Sequence, residues 1–296
     1  MLNRAIVARM LMKTKTILSF LTIALALDLT NEALAQAPKL EFPAASPACT
    51  IKQRVGLTDI EIVYSRPSMK GRQIFGSLVP YGAVWRTGAN NATKISFSTP
   101  VKLNGTDVAA GSYALYTIPG EDEWTIILNK GVGKSGTQYD QNEDVARFKT
   151  EPHKLPDTAI ETFTIEFNHV RDDSAMIMLV WEKTVVPIRL ELDLTGKLVP
   201  QIEQAMSATE GRKPYYQAAM FYYDHDQDLK KASKWVDAAI AEREAYYIVY
   251  LKAKILAKLG DKEGALAAAK HSKDLAVAAK ETGYVKMNDE LISSLQ

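Results

Sequence analysis

The chain has 296 residues, of which 47% are hydrophobic, so it is long enough for one large domain or two modest ones with a sizeable core. Its 36 basic and 35 acidic residues leave a formal net charge of +1. With so small a net charge, the protein has no strong electrostatic attraction for nucleic acid or for an anionic membrane surface. No nucleic-acid partner is therefore expected.

The first 35 residues have the three parts of a secretory signal peptide. Lys13 and Lys15 precede an apolar run over residues 17–27, and Ala33-Leu34-Ala35 provides a cleavage site. Cleavage is expected after Ala35, which predicts an exported protein, periplasmic or secreted. The alternative is a buried N-terminal helix, which would need polar partners for both lysines. The apolar run is too short for a permanent span, so no transmembrane segment is expected in the mature chain.

Residues 36–48 are rich in proline and alanine without a period, which predicts an extended linker. Cys49 is the only cysteine, which excludes an intramolecular disulfide and a thiolate metal cluster. A lipid anchor on Cys49 is an alternative, but Ser46-Pro47-Ala48 lacks the apolar residue of a lipoprotein signal. We interpret Cys49 as an ordinary small residue at the start of the first strand.

Short alternating segments between residues 51 and 194 predict β-strands. About nine such strands, without helical periods between them, favour an antiparallel β-sandwich or jelly-roll-like domain over a βαβ fold. Asn104-Gly105 is the strongest hairpin signal, and Pro119-Gly120 and Arg171-Asp172-Asp173 mark further turns. The alternating positions are Ile60, Ile62 and Tyr64; Ile95 and Phe97; Tyr113, Leu115 and Thr117; Trp124, Ile126 and Leu128; Phe163, Ile165 and Phe167; and Ala175, Ile177, Leu179 and Trp181.

After Thr195-Gly196 the composition changes to Ala, Lys, Glu, Leu and Tyr at helical spacing. This predicts a β-domain over residues 49–195 and an all-α helical-hairpin domain over residues 196–296. Tyr216-Gln-Ala-Ala and Tyr250-Leu-Lys-Ala are 34 residues apart, which indicates tetratricopeptide-like units, with an ordinary helical bundle as the alternative. The predicted helices cover residues 198–208, 214–224, 229–242, 245–259, 262–279 and 284–294.

Four blocks of the predicted β-domain carry a family resemblance. They are YSRPSMKGRQIFGSLVPYGAVWRTGANNAT (64–93), AGSYALYTIPGEDEWTIILNK (110–130), ETFTIEFNHVRDDSA (161–175) and LVWEKTVVPIRLEL (179–192). Together they resemble a family of exported bacterial proteins known only as domain of unknown function 2911, and the helical extension is similar to that of many members. The resemblance implies an exported β-domain and transfers no activity or site.

The segment between the second strand and Ile95 carries the most varied polar groups of the β-domain. Loops of this length in compact domains are often functional. Arginine suits carboxylate, phosphate or sulfate, and a tryptophan ring suits a sugar. These residues predict a pocket for a small anionic or saccharide ligand. The candidate ligand-binding residues are Arg66, Lys70, Arg72, Trp85, Arg86 and Asn90.

The competing interpretation of this segment is structural. In it, Trp85 plugs the end of the sandwich, while Arg86 and Asn90 bind backbone carbonyls of a loop that is packed down. The glycines of the segment form no phosphate-loop pattern.

Other polar motifs give weaker predictions. Lys130 to Gly136 (KGVGKSG) lacks phosphate-loop spacing and is interpreted as a mobile hairpin loop. No two of the four histidines have ligand spacing, so no metal site is expected. His169, near Asp172 and Asp173, could alternatively belong to a calcium or acid–base site. We interpret the aspartates as turn residues, because aspartate is typical of β-turns.

Three hypotheses follow for the function, and none includes a cofactor. The first is a non-catalytic binding module of the cell envelope, with the ligand on the sandwich and a protein partner on the helical domain. The second is an envelope carbohydrate or ester hydrolase that uses Glu166, paired with Glu182 or assisted by Arg86. The third is a structural envelope protein. The first hypothesis assigns no catalytic residue.

Overall fold

A computed structural model describes residues 40–296. The predicted signal peptide and its cleavage site lie outside the described residues. Residues 48–296 form one compact unit. Within it a mainly β part is followed by an all-α part, and this order is the one that the sequence predicts.

The β part contains twelve strands. They are β1 (Ala48–Val55), β2 (Thr58–Ser65), β3 (Thr93–Phe97), β4 (Val101–Leu103), β5 (Thr106–Val108), β6 (Gly111–Ile118), β7 (Trp124–Asn129), β8 (Asp144–Thr150), β9 (His153–Lys154), β10 (Ile160–Asn168), β11 (Ser174–Glu182) and β12 (Thr184–Glu191). Every predicted alternating segment lies in one of them, and Cys49 lies at the start of β1.

The strands form two antiparallel sheets. The first has the order β1-β2-β3-β6-β7-β8, and the second has the order β10-β11-β12-β4-β5 with β9 paired to β12. Alternate residues of the strands other than β9 point inward, and the inward residues of both sheets form one hydrophobic cluster. Ile62 and Ile126 of the first sheet and Ile177 and Leu190 of the second belong to this cluster. The β part is therefore a sandwich.

The strongest predicted hairpin, at Asn104-Gly105, is confirmed. Asn104 has φ 45° and Gly105 has φ 80°, the two positive values that a type I′ turn between β4 and β5 requires. The Asn104 amide also donates to the Lys149 carbonyl at 3.1 Å, and its oxygen accepts from the Arg189 N–H at 2.7 Å. The turn thereby joins the β4–β5 hairpin to β8 and β12.

Six α-helices follow, at positions close to those predicted. They are α1 (Leu194–Ser207), α2 (Tyr215–Asp224), α3 (Leu229–Glu242), α4 (Tyr246–Leu259), α5 (Lys262–Ala278) and α6 (Thr282–Leu295). Consecutive helices from α2 onward pack on one another, and α2 also packs on α4, and α4 on α6. This is the neighbour pattern of stacked helix pairs. None of the helices among residues 40–296 is both long and apolar enough to cross a membrane.

The first helix begins four residues before the predicted start. The Asp193 carboxylate accepts the Gly196 N–H at 2.8 Å and caps this helix, so Thr195-Gly196 lies inside its first turn. The helical period could not be recognised in this first turn because Leu194 is its one buried apolar residue, with 6% of its surface exposed.

Candidate functional site

Trp85 lies in the core of the sandwich, at 8% exposure. Its ring stacks on Trp181 with centroids 5.8 Å apart, and it meets the ring of Phe163 edge-on at 5.1 Å. The indole N–H donates to the Gly88 carbonyl at 3.1 Å, which satisfies the one polar atom of the side chain. Neither ring face is open to a sugar.

Arg66 and Arg72 bind atoms of the protein itself. The Arg66 Nε donates to the Phe163 carbonyl at 3.0 Å, and its Nη2 donates to the Thr164 hydroxyl at 2.7 Å. Arg72 donates to the carbonyls of Met69 and Ser68 at 2.8 and 2.7 Å. Arg66 holds residues 66–92, hereafter the 66–92 segment, against the edge strand β10, and Arg72 closes a turn within that segment.

Lys70 and Asn90 also occupy turns of the 66–92 segment. The backbone N–H of Lys70 donates to the Glu161 carboxylate at 2.9 Å, while its side chain is exposed. The Asn90 amide donates to the Ser65 hydroxyl at 3.0 Å. Both residues have positive φ, 50° and 60°, a conformation that asparagine accepts more readily than lysine.

Arg86 differs from the other arginines of the segment. Its side chain is half-buried, and its Nε is fully buried with no hydrogen-bond acceptor within the described residues. A donor buried in this way loses its water without gaining a partner, which costs about 1 to 3 kcal/mol. The guanidinium lies against Gly136, and a Cβ at that residue would be 3.4 Å from the Arg86 Nη1.

Residues 131–143, hereafter the 131–143 loop, lie between β7 and β8 and include Gly136, which contacts Arg86. The N–H of Ala92 donates to the Lys134 carbonyl at 3.0 Å, and Asn91 pairs with Ser135. The loop contains most of KGVGKSG, which the sequence identified as a hairpin loop without connecting it to Arg86. Only the fold reveals this proximity, because the two segments are about fifty residues apart in the chain.

A polar network fixes the 131–143 loop to the outer face of the first sheet. Asn129, at 1% exposure, donates to the Asp140 carbonyl and to the Asp144 carboxylate, both at 2.8 Å. The Tyr139 hydroxyl donates to Asp144 at 2.8 Å, and burial together with this bond raises the pKa of Tyr139 to about 12. Lys134 is paired with Glu143 at 2.6 Å. Lys134 therefore already has a carboxylate partner, whereas Arg86 has none among residues 40–296.

Thr87 adds backbone strain next to Arg86. It is fully buried and has φ 53°, which is a steric outlier for a β-branched residue. Its hydroxyl donates to Thr117 at 3.2 Å, and its carbonyl accepts from Thr93 at 2.5 Å. Strain of this kind persists only where the surroundings over-determine the backbone, and it is found most often at binding and catalytic sites.

Within residues 40–296, Arg86 forms no ion pair with Glu166 or Glu182, the carboxylates of the hydrolase hypothesis. The Glu166 carboxylate accepts from Asn168 on the exposed side of β10, at 2.8 Å. His225 and His271 bind Asp172 and Glu244 at 2.9 and 2.8 Å. Among residues 40–296, no three His, Cys, Asp or Glu side chains are grouped so that they could hold a metal ion.

Comparison with known proteins gives one match. Residues 46–190 match the model of a family described as protein of unknown function (DUF2911). No curated protein and no solved structure matches the chain. The matched range covers the sandwich and ends before the helices.

Proposed function

We propose that the protein, whose residues 46–190 are similar to the DUF2911 family, is a non-catalytic binding module of the cell envelope for a small anionic ligand. The ligand binds at Arg86. The helices provide a surface for a protein partner. Export to the periplasm or beyond follows from the predicted signal peptide.

The buried Nε of Arg86, which has no acceptor in the described part of the chain, is the observation that carries the proposal. A phosphate, sulfate or carboxylate oxygen would supply the missing acceptor in a charge-assisted hydrogen bond, which is stronger than a bond between neutral groups. The strained backbone at Thr87 and the glycine at residue 136 support the same location.

The proposed ligand is an anion, whereas the sequence also allowed a neutral saccharide. Because Trp85 is enclosed by other aromatic rings, stacking of a sugar on its face is not part of the proposal. A saccharide remains compatible only if it carries an acidic group that reaches Arg86. Arg66 and Arg72 position the 66–92 segment in this account, and Lys70 and Asn90 shape its turns.

The Arg86→Lys variant tests the proposal. Lysine keeps the charge but loses the planar guanidinium and its Nε–H, so anion affinity should fall about tenfold or more while the melting temperature changes little. The measurement is a thermal-shift series with inorganic phosphate, sulfate and glucuronate, followed by calorimetric titration of any probe that stabilises the protein.

Trp85→Phe is the matched control, because it perturbs the adjacent core position and leaves the guanidinium in place. It should lower the melting temperature and leave anion affinity unchanged. If Arg86→Lys instead lowers the melting temperature strongly with unchanged affinity, Arg86 is a structural residue and the structural envelope protein becomes the better hypothesis.

A further inference from the structure

A cavity of about 400 Å³ lies in the helical part, and none of its lining residues belongs to the sandwich. It is formed where the first turns of α2 and α4 meet the last turn of α3 and the residues that precede α2. Its volume is in the range of pockets that hold small molecules. The lining residues that matter for its chemistry are Arg212, Lys213, Arg243, Tyr216, Tyr247 and Glu242.

Three cations line this cavity, and their charges are not neutralised within the described residues. Arg212, Lys213 and Arg243 form no ion pair or side-chain hydrogen bond there. Other lysines of the helical part are paired with carboxylates, including Lys231 with Glu203 and Lys252 with Asp237. Glu242 is the only acidic residue of the lining, so the cavity keeps an excess of positive charge.

The tyrosines of the cavity add neutral donors. The rings of Tyr216 and Tyr247 pack edge to face with centroids 5.2 Å apart, and neither hydroxyl bonds to another described residue. Burial raises the pKa of Tyr216, so this hydroxyl stays protonated at neutral pH and can donate to an oxyanion.

The helix ends that face the cavity favour an anion as well. Neither α2 nor α4 has a side-chain cap at its N-terminus, where Pro214 and Ala245 stand. Asp193, Asp228 and Asp261 cap α1, α3 and α5. First-turn N–H groups without a cap are donors at the positive end of the helix dipole.

We propose that this cavity binds a small molecule with at least two oxyanion groups, such as an organic diphosphate or a polycarboxylate. The three cations neutralise its charge, and the tyrosine hydroxyls and first-turn N–H groups donate hydrogen bonds to the remaining oxygens. This site is separate from Arg86 and does not depend on the function proposed for the sandwich.

The double variant Arg212→Gln/Arg243→Gln tests the site in the full-length protein. Pyrophosphate and citrate are titrated by calorimetry at constant ionic strength, adjusted with chloride, because exposed charges are screened by salt. Wild-type protein should bind at least one probe, and the double variant should bind it about tenfold or more weakly. Tyr247→Phe, which keeps the ring packing, should give a smaller loss.

The matched control is Lys234→Gln/Lys270→Gln, which removes the same charge from exposed helical positions outside the cavity lining. It should bind as wild type does. No binding of either probe by wild-type protein below about 10 mM, or equal losses in both double variants, would overturn the site. A loss in Arg86→Lys alone would assign the binding to the sandwich and also overturn it.

Discussion

Trp85 shows how one side chain can organise the 66–92 segment. Its ring contacts Phe75 within the segment, Trp124 on the first sheet, and Phe163 and Trp181 on the second. Its backbone pairs with Thr117 of β6 through two hydrogen bonds, at 2.7 and 2.9 Å. The segment is therefore anchored to both sheets at this one residue.

We expect Trp85→Ala to destabilise the protein by about 3 to 5 kcal/mol, the range for removing a buried aromatic side chain. Trp85→Phe should cost less because it leaves a smaller cavity, although the bond to the Gly88 carbonyl is lost. Urea denaturation followed by circular dichroism measures both changes. A loss below about 1 kcal/mol for Trp85→Ala would be inconsistent with a core position.

The residue types of the candidate site could be predicted from the sequence, but their partners could not. Arg66 binds Phe163 and Thr164, and these residues are 97 and 98 positions away in the chain. No local pattern indicates such a pairing, because alternation identifies the inward face of a strand and not the strand that lies opposite. The same limit concealed the proximity of Arg86 to Gly136.

At the scale of elements, α1 is held to the next helix pair by a three-residue polar contact. The Glu203 carboxylate accepts from the Tyr222 hydroxyl at 2.5 Å and from the Lys231 ammonium at 2.6 Å. These residues lie on α1, α2 and α3, so the contact joins three helices. The hydrogen bond from Lys231, and then that from Tyr222, lowers the pKa of Glu203.

A lowered pKa in the folded state gives this contact a defined pH dependence. Its stabilisation is fully present above the pKa of unfolded glutamate and is lost as the pH falls through the lower folded value. Glu203→Gln should therefore reduce the melting temperature at pH 7, and the difference from wild type should shrink below about pH 4. Thermal unfolding across this range measures it. A difference that is constant with pH would exclude an ionic role for Glu203.

Elements were predicted well where one periodicity continued for several turns. Residues 229–242 were predicted as a helix with the bounds that α3 has, and every alternating segment is a strand. The short strands β4, β5 and β9 have two or three residues each, too few for a period to be recognised. They form through tertiary pairing with β12 and with each other.

At the scale of the whole molecule, the sandwich and the helices meet through a small contact. The Nε2 of His225, on α2's C-terminal side, is 2.9 Å from the Asp172 carboxylate of the β10–β11 turn. Gly56 in the β1–β2 turn has φ 51°, and a Cβ there would overlap the Asp172 carbonyl oxygen and lie 3.2 Å from Leu194 at the start of α1. Only a glycine suits this close approach.

The predicted domain boundary near Gly196 can be tested through this contact. His225→Ala removes the side-chain link to Asp172, so limited proteolysis between residues 192 and 198 should become faster than in wild type. His271→Ala, which breaks a similar pair within the helical part, is the control and should leave that rate unchanged. Equal resistance of all three proteins would indicate that the two parts do not separate at this point.

Export is a property of the whole chain. The exported chain should begin at Gln36 and be recovered without a lipid, because the charged, apolar and Ala-x-Ala parts of the signal coincide. Mass spectrometry of protein recovered from the envelope fraction measures both properties. An intact segment from Lys13 to Leu34, or a lipid on Cys49, would contradict the prediction.

The Nε–H resonance of Arg86 is the most direct test of the proposed anion site. In a ¹H–¹⁵N spectrum this signal is assigned by its absence in Arg86→Lys, and phosphate, sulfate or glucuronate is then titrated into wild-type protein. The account predicts that at least one anion shifts the signal in a saturable way, because the buried donor gains an acceptor. An Arg86 signal that stays fixed while other resonances saturate would contradict it.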